Sequence, residues 1–470
     1  MSKRTAKQIL PFLVLAGVAI AAMFIKPAAD YVPGANDPQY NSSDIAWVLV
    51  STALVFLMTP GLAFFYGGMV HRKNVISTMI KSVVAAGIVG ILWVTVGFSL
   101  SFGESIGGFI GNPSTYLFYQ GVKGGAAWPL ANTIPLTLFS LFQLMFAIIT
   151  PGLVVGALAE RIRFTSFILF IVLFSLLVYA PAAHWSWHPE GFLAKMGAWD
   201  FAGGTVVHIT AGCAALAGAL VLKRRKSHIE HKEIPPANVP YVLIGTGLLW
   251  FGWFGFNAGS AVGATPLAVN AFGTTTTAAA AAGLAWMFFD VLKGKKPSVL
   301  GFCIGAVVGL VAITPAAGYV GIPQSMIIGM VGAIISNIAV SIKQKSRLDD
   351  TLDVFPCHGI GGMVGMLLTG VFANQLVHGI KDGPEGWFYG NAGFFLTQLK
   401  AMSIVVAYSF SVSWLIFKFI NFILPLRVTE AEEEIGLDAS QHNEKYLQGT
   451  LLVPGNGKVQ ESLIEAESYK

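Results

Sequence analysis

Eleven stretches of about twenty predominantly apolar residues recur along this chain, and no other feature constrains its fold as strongly. They lie near residues 45–69, 76–101, 133–158, 164–184, 201–222, 239–260, 268–292, 299–317, 324–342, 354–377 and 397–424. As helices rising 1.5 Å per residue, such runs can cross a hydrocarbon layer of ~30 Å. Inside lipid each segment must satisfy its own backbone hydrogen bonds, which leaves the helix as the form open to them. Only 11% of the 470 residues are charged, against about 25% in a soluble domain. The polar surface needed to coat a water-soluble globule is missing. The 53 glycines suit helices that pack closely through small residues. The predicted fold class is an all-α membrane protein with eleven transmembrane helices.

The segment ahead of these runs differs in kind. Lys3, Arg4 and Lys7 precede an apolar stretch from Ile9 to Ile25, with Ala19-Ile20-Ala21 near its end. This is the pattern of a signal peptide, expected to span residues 1–29 and to be followed by an extracytoplasmic segment, 30–44. The rival expectation is a retained twelfth helix; the signal is preferred because the next helix needs an outside start. The transmembrane domain is then 45–425, and 426–470 is a tail.

Basic residues orient the bundle. Arg72, Lys73, Lys81, Arg161, Arg163, Lys223, Arg224, Arg225, Lys226, Lys232, Lys293, Lys295, Lys296, Lys343, Lys345 and Arg347 fall on one side, sixteen in all. The other side carries four: Lys123, Lys195, Lys381 and Lys400. Cytoplasmic loops collect Lys and Arg, so the first mature helix is expected to start outside and the tail to end inside. The net charge of +5 is spread over these short loops, unlike a nucleic-acid stripe. The tail, with Glu430, Glu432, Glu433 and Glu434 clustered, is too short for a catalytic domain and reads as a flexible end or a docking segment. Cys213, Cys303 and Cys357 are far apart, with no metal-ligand spacing, and read as buried small side chains. No cofactor or metal is expected.

Charge inside a bilayer is costly, so ionisable residues there are functional candidates. No Lys, Arg or Glu falls clearly in the middle of a run. Asp200 and Asp353 open the fifth and tenth runs, and His208 and His358 lie within them. His208 is eight residues beyond Asp200, about 12 Å deeper and near the midplane. The tenth run enters from the opposite side, with His358 about 7.5 Å beyond Asp353. The imidazoles meet only if the start of that helix is recessed into the bundle, which irregular backbone buried in protein permits. Leu352-Asp353-Val354-Phe355-Pro356 could form such a segment. A satisfied packing histidine is the bland alternative for each imidazole, and a plain helix cap is the alternative for Asp200. Histidine can also relay protons near neutrality.

An internal echo accompanies these pairs. Gly61-Leu62-Ala63-Phe64-Phe65-Tyr66-Gly67-Gly68 ends the first run and Gly252-Trp253-Phe254-Gly255-Phe256-Asn257-Ala258-Gly259 ends the sixth. By the loop charges these two runs are antiparallel, as are the fifth and tenth. Two inverted five-helix repeats plus a final helix would place a site at their interface.

Four segments carry a more specific likeness. Asp200-Phe-Ala-Gly-Gly-Thr-Val-Val-His208-Ile-Thr-Ala-Gly212, Gly156-Ala-Leu-Ala-Glu-Arg-Ile-Arg163, Gly252-Trp-Phe-Gly-Phe-Asn-Ala-Gly-Ser260 and Asp353-Val-Phe-Pro-Cys-His358-Gly resemble the ammonium transporter (Amt/Mep/Rh) family, in its bacterial and archaeal Amt branch. The resemblance runs from about Asp44 into the tail. It implies an eleven-helix protomer in a homotrimer, with one pore through each protomer. By match, Phe146, Trp187 and Ser260 form an outer ammonium site, with Trp187 preferred over Trp185 in an irregular stretch. Asp200 shapes that site, with Asp353 as its counterpart. Phe146 and Phe256 form a gate, and His208 and His358 line the pore and supply the proton relay. Asn257 and Gln143 fall in matching motifs without an assigned contact. Gly436-Leu-Asp438, His442, Glu444 and Tyr446 resemble the family tail, which implies a PII-type cytoplasmic regulator as a partner.

An ammonium transporter or ammonia channel, with methylammonium as an analogue substrate, is the expected function. An ammonium sensor of the same fold, acting through a cytoplasmic partner, is the alternative; no output domain follows Lys470, which argues against a self-contained one. The lack of a mid-membrane carboxylate speaks against a coupled carrier of a larger solute. No nucleophile or metal constellation suggests an enzyme.

Overall fold

The computed structural model describes residues 3–24, 39–122, 126–232, 234–380 and 383–446. Residues Lys3–Phe24 form a first helix, α1. The expected cleavage boundary near residue 29, Lys123, Lys381 and the tail beyond 446 lie outside the described residues.

Ten described helices are long and apolar enough to cross a membrane: α2 (Ser42–Met69), α3 (Arg72–Phe102), α4 (Leu136–Leu158), α5 (Phe164–Lys195), α6 (Gly204–Leu222), α7 (Val239–Ala261), α8 (Pro266–Leu292), α10 (Ile322–Gln344), α11 (Phe355–Phe372) and α12 (Ala392–Ile423). The chain is a multi-pass membrane protein. Between α8 and α10 lies α9, Val299–Ile313, an apolar helix of 15 residues. At 1.5 Å per residue it reaches about 22 Å, short of the full hydrocarbon depth. The sequence places the eighth run at 299–317, but the helix stops at Ile313, just before Pro315, whose ring cannot continue the ladder.

Local chemistry sets the other starts. Asn41 accepts from the backbone of Ser43 and Asp44 at the head of α2. Asn238 caps α7 through Tyr241 N–H, Thr265 caps α8 with Pro266 next, and Ser298 caps α9. Each oxygen takes up a donor that the first turn leaves unpaired. The most enclosed helices are α4 and α6. Helix α2 packs along α7, and α6 is held between α4, α11 and α12.

The bundle has two dissimilar ends. One carries the segment between α3 and α4, where Ser105–Ile106 pairs antiparallel with Ile110–Gly111, and the segment between α5 and α6. The other carries most of the basic residues, and there the tail folds back. Leu426 O accepts from Arg163 N–H at 3.0 Å, and Val428 N–H reaches Arg161 O at 3.0 Å. Two short helices follow, α13 (Glu430–Ile435) and α14 (Leu437–His442). The Arg163 guanidinium grips both oxygens of Glu432 at 3.1 and 2.7 Å. Glu433 accepts from Lys226 N–H and from Arg427. Residues 426–446 of the tail thus rest on the body, their acidic side chains meeting buried or half-buried donors.

Beneath the tail is a buried ion cluster. Arg225 bonds Glu160 at 2.6 Å and Asp349 at 2.8 and 3.0 Å. Arg161, fully buried, donates to Asp349 O and to Thr351 Oγ1. Burial alone pushes the Asp349 carboxyl up, yet Arg161 and Arg225 overcome it and hold it well below the usual carboxylate range. Removing one member strands the others without solvent. Arg225→Met should cost about 3–5 kcal/mol, read as a lowered unfolding midpoint in detergent, whereas exposed Lys345→Met should leave that midpoint unchanged.

Candidate functional site

Two short runs of chain, related in detail, build the centre of the molecule. In the first, the Asp200 carboxylate accepts from Gly203 N–H at 2.8 Å, Gly204 N–H at 2.7 Å, Thr205 N–H at 2.7 Å and Val206 N–H at 3.4 Å, and from the Thr205 hydroxyl. Gly203 sits at φ +113°, a conformation other residues resist. A side chain at Gly204 would collide with Pro315, 2.6 Å away. A π-helical turn, Gly204–Ile209, then carries His208.

In the second, the Asp350 carboxylate accepts from Val354 N–H at 3.0 Å and Phe355 N–H at 2.7 Å. Asp353 sits at φ +57°, and a π-helical turn, Phe355–Ile360, carries His358. In both runs the capping Asp precedes its His by eight residues, and the positive φ falls three residues after the Asp. The sequence expectation paired Asp200 with Asp353; the carboxylate that holds the start of α11 is Asp350. Asp353 turns away to an ion pair with Lys343 at 2.7 Å. Burial pushes the Asp350 carboxyl up to about 6, with Lys343 opposing. The equal Asp-to-His spacing was the available signal for Asp350, overlooked beside the nearer Asp353.

These starts let α6 and α11 touch. A Cβ at Gly212 would lie 2.2 Å from the Gly359 Cα, so only glycine allows this approach. His208 Nδ1 and His358 Nδ1 meet at 3.3 Å, with ring centroids 5.5 Å apart and planes 24° from parallel. The start of α11 is thus recessed as the pairing required. One Nδ1 must donate and the other accept, so the two neutral rings hold opposite tautomers and present unlike Nε2 atoms, one bare and one protonated. His208 Nε2 is buried without a partner. Trp253 stacks on His208 at 5.4 Å and is fixed by its own bond to Thr314 Oγ1 at 2.9 Å. Around the imidazoles, Leu62, Ile149, Leu153 and Val307 help line a cavity of about 10 Å³, room for one water-sized molecule.

A wider cavity of about 140 Å³ opens beyond it, lined in part by Phe146, Trp187, Ser260, Phe142, Gln143 and Trp128. Trp187 Nε1 donates to Asp200 O at 3.1 Å, which orients its ring. Trp185 points elsewhere, donating to Phe109 O at 2.7 Å. The Ser260 hydroxyl donates to Phe256 O at 2.8 Å, which leaves its oxygen free to accept. Phe146 lines the wide cavity and Phe256 the narrow one, and their rings meet with centroids 4.3 Å apart and planes tilted by 41°. Among the described residues no charged side chain lines either cavity, and no cluster of His, Cys, Asp and Glu could hold a metal.

The profile of the Ammonium Transporter Family matches residues 46–446. The chain belongs to the ammonium transporter family. It is 44% identical over 404 residues to Ammonium transporter Amt1 of Archaeoglobus fulgidus, covering 86% of this chain and 99% of that one. Among solved structures it is similar to Candida albicans Mep2, with 38% identity, TM-score 0.78, and coverage of 84% of this chain and 88% of that one. It is also similar to a structure titled "Sensor Amt Protein", with 29% identity, TM-score 0.77, and coverage of 85% and 98%.

The two aspartates before α11 are separable by mutation. Asp350→Ala strands two buried N–H groups, at about 1–3 kcal/mol each, and should lower the thermal midpoint further than Asp353→Asn, which keeps polar contact with Lys343. Equal losses would remove Asp350 from its capping role.

Proposed function

We propose that this protein transports ammonium by recruiting it in the wide cavity, removing its proton and passing ammonia through the narrow one. The observation that carries this is the contact of His208 with His358 inside an uncharged, apolar conduit below an aromatic vestibule. Moving a bare ammonium-sized ion into a medium of low dielectric costs about 20 kcal/mol. A neutral molecule with unmet hydrogen bonds costs only about 2–7 kcal/mol, and the Nε2 atoms of the two imidazoles can offset part of that. The conduit therefore favours the deprotonated species.

The roles follow from the geometry. Trp187 offers a π face to a cation, worth about 0.5–2 kcal/mol, Ser260 an acceptor oxygen, and Phe146 a second aromatic wall. Asp200 spends its oxygens on backbone N–H groups and favours a cation nearby without touching it. Phe146 and Phe256 form the gate. Whether the released proton returns outside or follows along the imidazole pair decides whether transport carries charge.

The same proposal counts α9 as an eleventh transmembrane helix and treats α2–α6 and α7–α11 as inverted repeats, with Asp200/His208 answering Asp350/His358. The charge bias puts the vestibule outside the cell membrane, with the N-terminus outside after processing and the tail in the cytoplasm. The family likeness adds a homotrimer and a PII-type regulator at the tail. The alternative, a sensor, is supported by the likeness to the sensor structure and predicts no flux.

Reconstitution in liposomes tests both. A methylammonium or ammonium pulse should give uptake or current, and silence in correctly folded protein would favour the sensor. Asp200→Ala should abolish the activity, and a normal rate would remove its recruiting role. His208→Asp should change selectivity or current with the fold intact. Trp187→Ala should raise the half-saturating concentration about 2- to 30-fold, the range of one cation–π contact.

A further inference from the structure

The tail contact has a charge pattern that transport does not use. Lys81 of α3 is 1% exposed, and among the described residues its ammonium bonds within its own helix, to Ser77 O at 2.8 Å and Ser77 Oγ at 2.6 Å. Helix α14 covers it. Leu437 N–H donates to Asn74 Oδ1 at 2.8 Å, and Asp438 Oδ1 accepts from Ser77 N–H at 2.7 Å, at the start of α3's regular helical run. Anions are favoured at such a start. At the far end of α14, His442 packs edge-on against Phe164 at 4.9 Å. Its Nε2, Asp438 Oδ2 and Ser440 Oγ are all buried without a partner.

The groups around His442 can be counted. From α3 it faces Lys81, and from α5 the uncharged ring of Phe164. In its own segment it has exposed Glu444 and, one turn back, Asp438. Glu432 of α13 is reached through Gln441 and is already matched by Arg163. With His442 neutral, Lys81 and Asp438 balance. A proton on the half-buried imidazole adds a positive charge beside Lys81 that Asp438 alone does not match.

We propose that the seat of α14 on α3 is a proton-operated latch, closed while His442 is neutral and opened when its protonation sets a second positive charge against Lys81. Burial, then Lys81, hold the docked imidazole below its ordinary value, while Glu444 pulls weakly the other way. A histidine whose value is depressed when docked favours docking above its free value, near 6.5, and loses that preference as the pH falls through it. Asp438, pushed up by burial, and the buried Lys81 are the other titrating groups at the seat, and the test separates His442 from both.

The test is hydrogen exchange of residues 437–442 in the full chain, in nanodiscs, between about pH 7.5 and pH 5.5, corrected for intrinsic exchange. The wild type should lose protection at the lower pH, by about tenfold for each pH unit between the docked and free values. His442→Gln should keep its protection at both. A flat wild-type profile, or an unchanged loss in His442→Gln, overturns the proposal, the second by assigning the effect to Lys81; Asp438, pushed up when docked, would instead gain protection as the pH falls. If His442→Gln is unprotected throughout, the His442 imidazole titration in the wild type, followed by NMR, decides. A midpoint below the free value near 6.5 supports the latch, and one at or above it overturns it. None of these outcomes depends on the transport proposal, because none measures flux.

Discussion

Two carboxylates, Asp200 and Asp350, hold the amino ends of α6 and α11 inside the bundle, and the central contact depends on both. A helix start leaves its first N–H groups unpaired, so a start buried away from water needs a fixed acceptor. Each Asp supplies one from a single side chain. With the starts recessed, the π-helical turns re-aim the next residues, and His208 and His358 arrive at one another from opposite ends. Gly212 over Gly359 removes the last steric obstacle. The imidazoles then meet by construction of the backbone that the two carboxylates hold, with Trp253 stacked on His208.

That economy of charge extends along the axis. Arg161, Arg225, Glu160 and Asp349 are buried, but they lie at the tail end and neutralise one another. The axis itself is left to aromatic and aliphatic walls. In the proposed mechanism this separation decides the transported species: the ions that stiffen the fold sit where they cannot stabilise a cation at mid-membrane.

The helical architecture was legible because a membrane demands long apolar runs, and starts such as Ser42, Pro266 and Ile322 fall within three residues of the sequence expectation. His208 and His358 stood out because polar residues are rare in such runs. Asp350 did not, because it precedes its helix by a loop and is one of three nearby aspartates; which of Asp349, Asp350 and Asp353 caps and which pair is settled by Lys343 on the preceding helix and by Arg225, more than a hundred residues away. Lys81 counted as a loop charge on spacing alone. Its burial depends on a tail more than three hundred residues away, and no local pattern records that. The short α9 was likewise hidden, since apolar composition continues past the point where Pro315 stops the helix.

What the axis lacks is as informative as what it holds. His208 Nε2, Asn257 Oδ1 and Gln143 Oε1 are buried without partners, and each such atom costs about 1–3 kcal/mol. Gln143 lines the wide cavity, His208 the narrow one, and Asn257 follows Phe256 of the narrow cavity. Elsewhere in the core some hydroxyls, such as Thr150, Thr210, Thr246 and Thr314, satisfy themselves on the preceding turn, while others, such as Ser51, Thr59, Ser409 and Ser413, are buried without a partner as well. Along the axis the histidine and amide atoms are held away from that remedy by stacking and by bonds on their other side: Trp253 on His208, and Thr275 on the Asn257 amide. In the proposed mechanism the open atoms beside the two cavities, on His208 and Gln143, are those a small hydrogen-bonding guest would meet.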